Sequence, residues 1–315
     1  MLFAAKHVKK CVLAGPYVGR NRDKISGINY DTSSDRAALG KLAQRKGTGS
    51  MGKYVVAIWQ CRYFWLSLVR MDLRTRYRRS VLGMGWSLLH PIAMTAIICV
   101  VFPRFMGLTD RDFVLRVYVP HVLAGLACWN FILFVALQGC QCFYQGEMYI
   151  RQFPAPLAIF PLRTALGGSI HFLIALILVV GVTGFFQRSV DLLALTSLVP
   201  TVLLLFVFVW SVAVIAGFAN VFFNDTQHLA EIGFQIMFYA TPIIYLPERV
   251  EGSRLGRLIQ FNPLYGFLKL VREPIINHHA PTLASYAAAC GTVLVFVAAA
   301  AIILTRFQKK LIFKL

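Results

Sequence analysis

The sequence predicts an all-α membrane protein, with six transmembrane helices per protomer, an N-terminal amphipathic interfacial helix, and re-entrant or interfacial helices before the last span. Three observations predict it. Of 315 residues, 58% are hydrophobic and 14% charged, against about 25% charged in an ordinary soluble domain. Stretches without Asp, Glu, Lys or Arg, long enough to cross a hydrocarbon core of about 30 Å, recur along the chain. The charge is also lopsided, since 17 of the 32 Lys and Arg but 4 of the 13 Asp and Glu fall within the first 79 residues. A basic head leading into an apolar body suits the anionic surface of a membrane. It does not suit nucleic acid, because no soluble module with interleaved aromatic and basic residues follows it.

Residues 1–50 read as a basic, disordered N-terminal extension, with Gly, Ser, Asp and Lys scattered through them and no uninterrupted apolar core of a secretory signal. Residues 51–79 read as the amphipathic interfacial helix. At 100° per residue Ile58, Cys61, Trp65, Leu68, Val69 and Leu73 share one face, and Gln60, Ser67, Arg70, Arg74 and Arg78 share the other. Arg62 and Asp72 break the pattern. Residues 80–315 form the six-span domain. Its uncharged stretches are Ser80–Pro103, Val117–Gly146, Thr164–Gln187, Leu192–Asn224 and Pro274–Thr305, with a shorter one at Ile232–Pro247. The short one carries Ala240-Thr241-Pro242, the signature of a broken helix tolerated where it lines a cavity. Arg70–Arg79 before the spans and Arg306, Lys309, Lys310 and Lys314 after them place both termini in the cytoplasm of a multi-pass inner-membrane protein.

Seven cysteines, odd in number and mostly within apolar runs, exclude a disulfide framework and read as small hydrophobes. Cys140-x-Cys142 has no second pair at metal spacing, so no zinc site is expected. Gly47-Thr48-Gly49-Ser50-Met51-Gly52-Lys53-Tyr54 only approximates a phosphate loop: Tyr54 stands where Mg²⁺ needs a hydroxyl residue, and no apolar strand precedes the glycines. The chain therefore has no ATPase of its own. Glu231 is the one acidic residue within or at the edge of a span, which argues against ion coupling.

Asp72-Leu73-Arg74-Thr75-Arg76-Tyr77-Arg78-Arg79-Ser80-Val81-Leu82-Gly83-Met84-Gly85-Trp86-Ser87-Leu88-Leu89-His90-Pro91 resembles the junction signature of polysaccharide-exporting ABC-2 permeases. Two further stretches match in order: Ala219–Asp225 followed by Ala240–Tyr245, then Asn262-Pro263-Leu264-Tyr265 with Arg272-Glu273. Relatives commonly carry Arg where this chain has Asn224. The resemblance implies a transport subunit, not an enzyme, that pairs with a second copy of itself and with two ATP-binding cassette subunits. ATP and Mg²⁺ would be bound by those subunits, and this chain would hold no cofactor or metal and have no catalytic residue. It implies that Arg70, Arg74, Arg76, Tyr77, Arg78, Ser80, Leu82, Gly83, Trp86 and Pro91 build the interfacial helix and its junction. Glu147, Arg151, Asn224 and Asp225 would couple to the ATPase, the first two on a short helix in a loop spanning Gln138–Pro156. Asn262, Pro263, Tyr265, Arg272 and Glu273 would form an exit gate.

A path for sugars needs hydroxyl partners and aromatic faces, and Trp129, Asn130, Tyr239, Thr241 and Tyr245 are the candidates, though packing is the commoner role for any one aromatic. His90 and His171 read as packing residues and His278-His279 as solvated. The function expected is export of a lipid-linked, O-antigen-like polysaccharide, with membrane lipids as the surroundings. Export of a drug or small lipid is the rival within the class. A membrane-embedded transferase on lipid-linked sugar is the rival outside it; it needs a general base, and only Glu147, Asp225 and Glu231 could serve.

Overall fold

The computed structural model describes residues 51–315 apart from 78–79, 82, 153–154, 190, 250–255, 257–258 and 260–261. The extension 1–50 lies outside the described residues, as do Arg78 and Leu82 of the junction. Helices make up the fold, and no strand occurs among the described residues.

The amphipathic segment is two helices, α1 (Met51–Gln60) and α2 (Arg62–Tyr77), separated at Cys61. Ile58, Cys61, Phe64 and Leu68 are buried and pack against Ala158, Ile159 and Leu162, with Trp210 and Leu304 beside them, and Val69 is buried too. The sequence assigned this face to the membrane; the structure packs it on the protein, because the adjoining helix ends present a matching apolar surface. Phe64 meets Tyr149 edge-on at 5.7 Å, and the Ala158 amide donates to the Tyr54 hydroxyl oxygen at 3.3 Å. A second stripe, Val56, Trp59, Tyr63 and Leu66, is exposed on the other side. Cys61 is disulfide-bonded, unlike the unpaired hydrophobe expected, whereas Cys99, Cys128, Cys140, Cys142 and Cys290 are free.

The chain then enters α3 (Trp86–Phe105) through a tight turn. Gly83 adopts φ 53°, the left-handed region that suits glycine, and its amide donates to Ser80 Oγ at 3.1 Å. That bond gives the Ser-x-x-Gly spacing of the junction a physical reason. α4 (Val119–Gln152) is the central helix, flanked by α5 (Ile159–Gln187) and α6 (Leu198–Phe222). α4 and α6 approach closely through small residues: a Cβ on Gly139 would lie 2.7 Å from Ala213 Cα, and one on Gly217 would lie 2.9 Å from the Gly139 carbonyl oxygen. α7 (Thr226–Ala240), α8 (Pro263–Ile276) and α9 (Leu283–Lys314) complete the fold.

Five runs are long and apolar enough to cross a membrane: Leu88–Phe105, Arg111–Gln152, Ile159–Gln187, Leu192–Phe222 and Leu283–Leu311. The short stretch at Ile232–Pro247 begins within the fifteen-residue α7, which starts ahead of Glu231 at Thr226 and breaks, as the Ala240-Thr241-Pro242 sequence led one to expect, before Pro242. Proline lacks an amide and disfavours helix at the residue before it, which stops α7 there. The last span begins at Leu283 and not at Pro274, since α8 ends at Ile276 and the Thr282 hydroxyl caps α9 by accepting from the Ser285 amide at 3.3 Å. The supposed loop from Gln138 to Pro156 is, as far as Gln152, a continuous part of α4.

α6 and α9 run parallel. At one end the Tyr286 hydroxyl donates to the Ser197 carbonyl at 2.7 Å; at the other, Lys314 Nζ donates to the Phe222 carbonyl at 3.0 Å. The latter end, where α1, α2, the α4–α5 turn and the α6–α7 turn also gather, is termed basal, and the opposite end distal.

Candidate functional site

Among the described residues, three polar clusters hold the residues singled out in the sequence. The first joins α2 to α5. Asp72, which broke the amphipathic pattern, forms a two-pronged ion pair with buried Arg163 near the basal end of α5. A cation embedded in an otherwise apolar helix needs a partner, and that requirement was the available signal for a contact that sequence reasoning missed. One turn later along α2, the Arg76 guanidinium lies 4.6 Å from the centroid of the Phe134 ring of α4. Phe134 in turn meets His171 of α5 edge-on at 6.3 Å. Arg70, Arg74 and Arg76 are exposed, Trp86 is exposed at the start of α3, and Pro91 is buried within it.

The second cluster closes the basal end between α4, α6 and α7. Asn224, where the resemblance leads one to expect Arg, accepts a hydrogen bond from the Tyr144 hydroxyl at 3.1 Å. Asn220 donates to the Cys140 carbonyl at 2.9 Å, and Gln141 of α4 bonds Gln227 of α7. Gln227 donates to Glu231 at 3.1 Å, with His228 3.6 Å from the same carboxylate. Asp225 stands before the first turn of α7 without a side-chain cap bond. Glu147 and Arg151 pair at 2.8 Å, exposed, on α4. The four residues expected to couple thus share one end of the molecule, with Glu147 and Arg151 one and two turns beyond Tyr144 along α4.

The third cluster is distal and centres on Arg272 of α8. Its guanidinium is buried and donates to the His121 carbonyl at 3.0 and 3.2 Å, to Pro242 at 2.7 Å and to Ile243 at 3.3 Å. These last two carbonyls belong to the irregular backbone after α7, where α-helical partners are missing. Asn262 caps α8 by accepting from the Leu264 amide at 3.0 Å, and its Nδ2 donates to Thr241 Oγ1 at 2.8 Å. Pro263 occupies the first turn of α8 and the Tyr265 amide donates to the Asn262 carbonyl at 3.1 Å. Buried Glu273 lies 3.6 Å from Lys269. Arg272, Asn262 and Thr241 therefore hold α8 against the end of α7 and the start of α4.

The aromatic candidates do not share one surface. Trp129 is buried and edge-on to Phe234 and Phe238 at 5.9 and 5.5 Å, and Thr241 is buried. The Tyr245 hydroxyl donates to the Tyr239 and Ala240 carbonyls at 3.4 Å. Asn130 is half-buried. Only Tyr239 is exposed, at the end of an exposed stripe with Leu229, Ile232 and Ile236. Among the described residues no three His, Cys, Asp or Glu side chains gather at metal-binding distance.

The ABC-2 type transporter family matches residues 63–276. Two proteins of Klebsiella pneumoniae named O-antigen export system permease protein RfbA are each 24% identical over 214 residues, covering 67% of this chain and 79% of theirs. A Myxococcus xanthus protein of the same name is 22% identical over 232 residues, 73% of this chain and 87% of its own.

Proposed function

Since this chain belongs to the ABC-2 type transporter family, which matches it from residue 63 to 276, we propose that it is the transmembrane permease of an ATP-driven exporter moving a lipid-linked, O-antigen-like polysaccharide outward across the inner membrane. It is a transport subunit, not an enzyme. The observation that carries the substrate is the match to relatives named O-antigen export permeases over two thirds or more of the chain. A second copy of the chain and two ATP-binding cassette subunits complete the exporter, with ATP and Mg²⁺ held by those subunits. The exposed stripe Leu229, Ile232, Ile236 and Tyr239 supports pairing along α7, because none of the fifteen residues of α7 is buried within one chain.

In this reading α7 with residues 241–246 is the sixth crossing, the basal end is cytoplasmic, and both termini lie there. Glu147, Arg151 and the α6–α7 turn at Asn224 and Asp225 receive the stroke of the ATPase. Arg272 and Asn262 hold the distal exit closed by tying α8 to the end of α7. The test is ATP hydrolysis by the purified chain with its co-encoded ATPase, alone and with lipid-linked glycan. Stimulation by the glycan and not by amphipathic drugs is expected; stimulation by drugs or small lipids alone overturns the substrate.

A further inference from the structure

α6 ends without the devices that usually finish a helix. Phe223, after its last turn, is extended and not left-handed, and α6 itself carries no basic residue. Its last carbonyls are met from other elements instead. The Tyr144 hydroxyl of α4 reaches the Asn220 carbonyl at 3.5 Å, the Thr226 hydroxyl of α7 donates to the Phe223 carbonyl at 2.6 Å, and Lys314 of α9 donates to the Phe222 carbonyl at 3.0 Å. Lys314 thus supplies the cation that the end of a helix favours and α6 lacks. Phe307, Lys310 and Lys314, three and four residues apart, share one face of α9. Lys314 Nζ lies 4.9 Å from the centroid of the Phe222 ring, Phe222 meets Phe307 edge-on at 5.5 Å, and Lys310 Nζ lies 5.8 Å from the Phe307 centroid. Leu311, between the two lysines, is fully buried, so the last turns of α9 are seated on the basal core.

The same two helices are joined at the distal end, where the Tyr286 hydroxyl of α9 donates to the Ser197 carbonyl at 2.7 Å and lies 3.0 Å from Thr201 Oγ1. Between the two ends the contact is apolar: Phe296 meets Phe208 edge-on at 4.9 Å, and Ala300 packs in the core that holds Val214 and Phe218. Such contact is non-directional, so the bonds at the ends limit how far α9 can slide along α6. The distal start of α9 is also tied, through residues 277–282, to α8, the helix that carries Arg272. We propose that Lys314 is a positioning residue that locks the last turn of α9 to the last turn of α6, so that α9 follows the α6–α7 turn when the ATPase moves it and carries the displacement to α8 and Arg272. The proposal rests on the reading above that this turn receives the stroke. Without Lys314 the turn would still move, but α9 would lag behind it and the distal exit would stay closed.

The test is made in proteoliposomes holding the full-length chain with its co-encoded ATPase, where ATP hydrolysis and glycan export are read in one preparation. Lys314→Met keeps an unbranched side chain but removes the charge and the donor. Export should fall about fivefold or more, the lower range of an allosteric coupling, while hydrolysis and assembly stay near wild type. Lys314→Arg still offers a cation and donors to the end of α6 and should recover most of the export. Phe222→Leu leaves the carbonyl in place, removes the ring, and should give the same split more weakly. A second readout needs no glycan: the maleimide labelling rate of His279→Cys, measured against the parent chain, should change when a hydrolysis-deficient ATPase is loaded with ATP, and Lys314→Met should abolish that change. Wild-type export by both Lys314→Met and Phe222→Leu overturns the proposal. A labelling rate that ATP leaves unchanged with Lys314 present, or changes equally in Lys314→Met, does so too. A joint loss of assembly, hydrolysis and export in both variants would make the contact a cap for the fold alone and also overturns it. Failure of the transport reading would look different, as wild-type hydrolysis indifferent to glycan while the ATP-dependent change in labelling persists.

Discussion

Arg272 donates to main-chain oxygens on two different elements, α4 and the irregular backbone after α7. Removing it leaves three buried carbonyls without their donor, and each unsatisfied buried group costs about 1–3 kcal/mol. Arg272→Ala should therefore destabilise the chain by roughly 3 kcal/mol or more, seen as a lower thermal transition of the detergent-purified protein. Arg272→Lys should recover only part, because an ammonium cannot span carbonyls on both elements at once. A transition unchanged in Arg272→Ala would show that the distal cluster is not structural. The residue itself stood out in the sequence within the Arg272-Glu273 pair, but its partners did not, since backbone acceptors leave no side-chain signature. Asp72 gives the complementary case. It was visible only as a fault in an amphipathic pattern, and the fault was the contact. Asn224 shows a third kind of gap: the departure from the expected arginine was legible, while the Tyr144 hydroxyl that donates to Asn224 comes from a helix eighty residues away.

Among the elements, α4 departs most from its sequence reading. Gly139, Gly146 and the polar residues around them look like loop punctuation, yet the same small residues let helices approach. A Cβ on Gly146 would lie 2.3 Å from the Phe160 ring of α5, so the glycine is there for packing and the helix runs on to Gln152. Composition alone cannot separate a loop from a tight helix crossing, whereas the five long uncharged runs were legible by their length, the last with its start placed too early. Gly139→Leu should consequently prevent α4 and α6 from closing and abolish monodisperse protein in fluorescence-detected size exclusion. Gly167→Ala, where nothing lies within 4 Å of the added carbon, should leave the profile unchanged. The basal end of α4 also carries Glu147, and its pairing with Arg151 shapes the experiment on coupling. Glu147→Lys would place two cations one turn apart and add repulsion within the helix, confusing docking with local strain. Glu147→Gln removes the charge without that side effect. Export should fall severalfold while assembly and membrane insertion stay at wild-type levels, since the exposed pair itself contributes at most about 0.5 kcal/mol to the fold. Wild-type export would move the coupling surface to the α6–α7 turn or to the exposed side of α1 and α2.

At the scale of the molecule, the decisive geometry is that α6 and α9 point the same way. The chain leaves α6 at the basal end and must enter α9 at the distal end, so residues 223–282 have to climb the full height of the bundle. α7 supplies about 22 Å of that rise, short of a hydrocarbon core of about 30 Å; the irregular residues 241–246 supply the rest at up to about 3.3 Å each. Backbone without helical bonds is tolerated at such depth only when buried and satisfied. Both conditions hold, with Thr241, Ile243 and Leu246 buried and the Pro242 and Ile243 carbonyls bonded to Arg272. The sequence indicated a broken helix here through Pro242, but not where its free carbonyls would go. The consequence for topology is specific. Ser189 and His278 meet at 3.2 Å, so neighbouring positions on both loops should behave alike. In whole cells a membrane-impermeant maleimide should modify Ser189→Cys and His279→Cys, measured against the parent chain. Asp225→Cys and Gln308→Cys should react only after permeabilisation. If His279→Cys instead sides with Asp225→Cys while Ser189→Cys is labelled from outside, the climb through α7 does not cross the bilayer. The parallel pair of α6 and α9 would then have to be rebuilt during insertion.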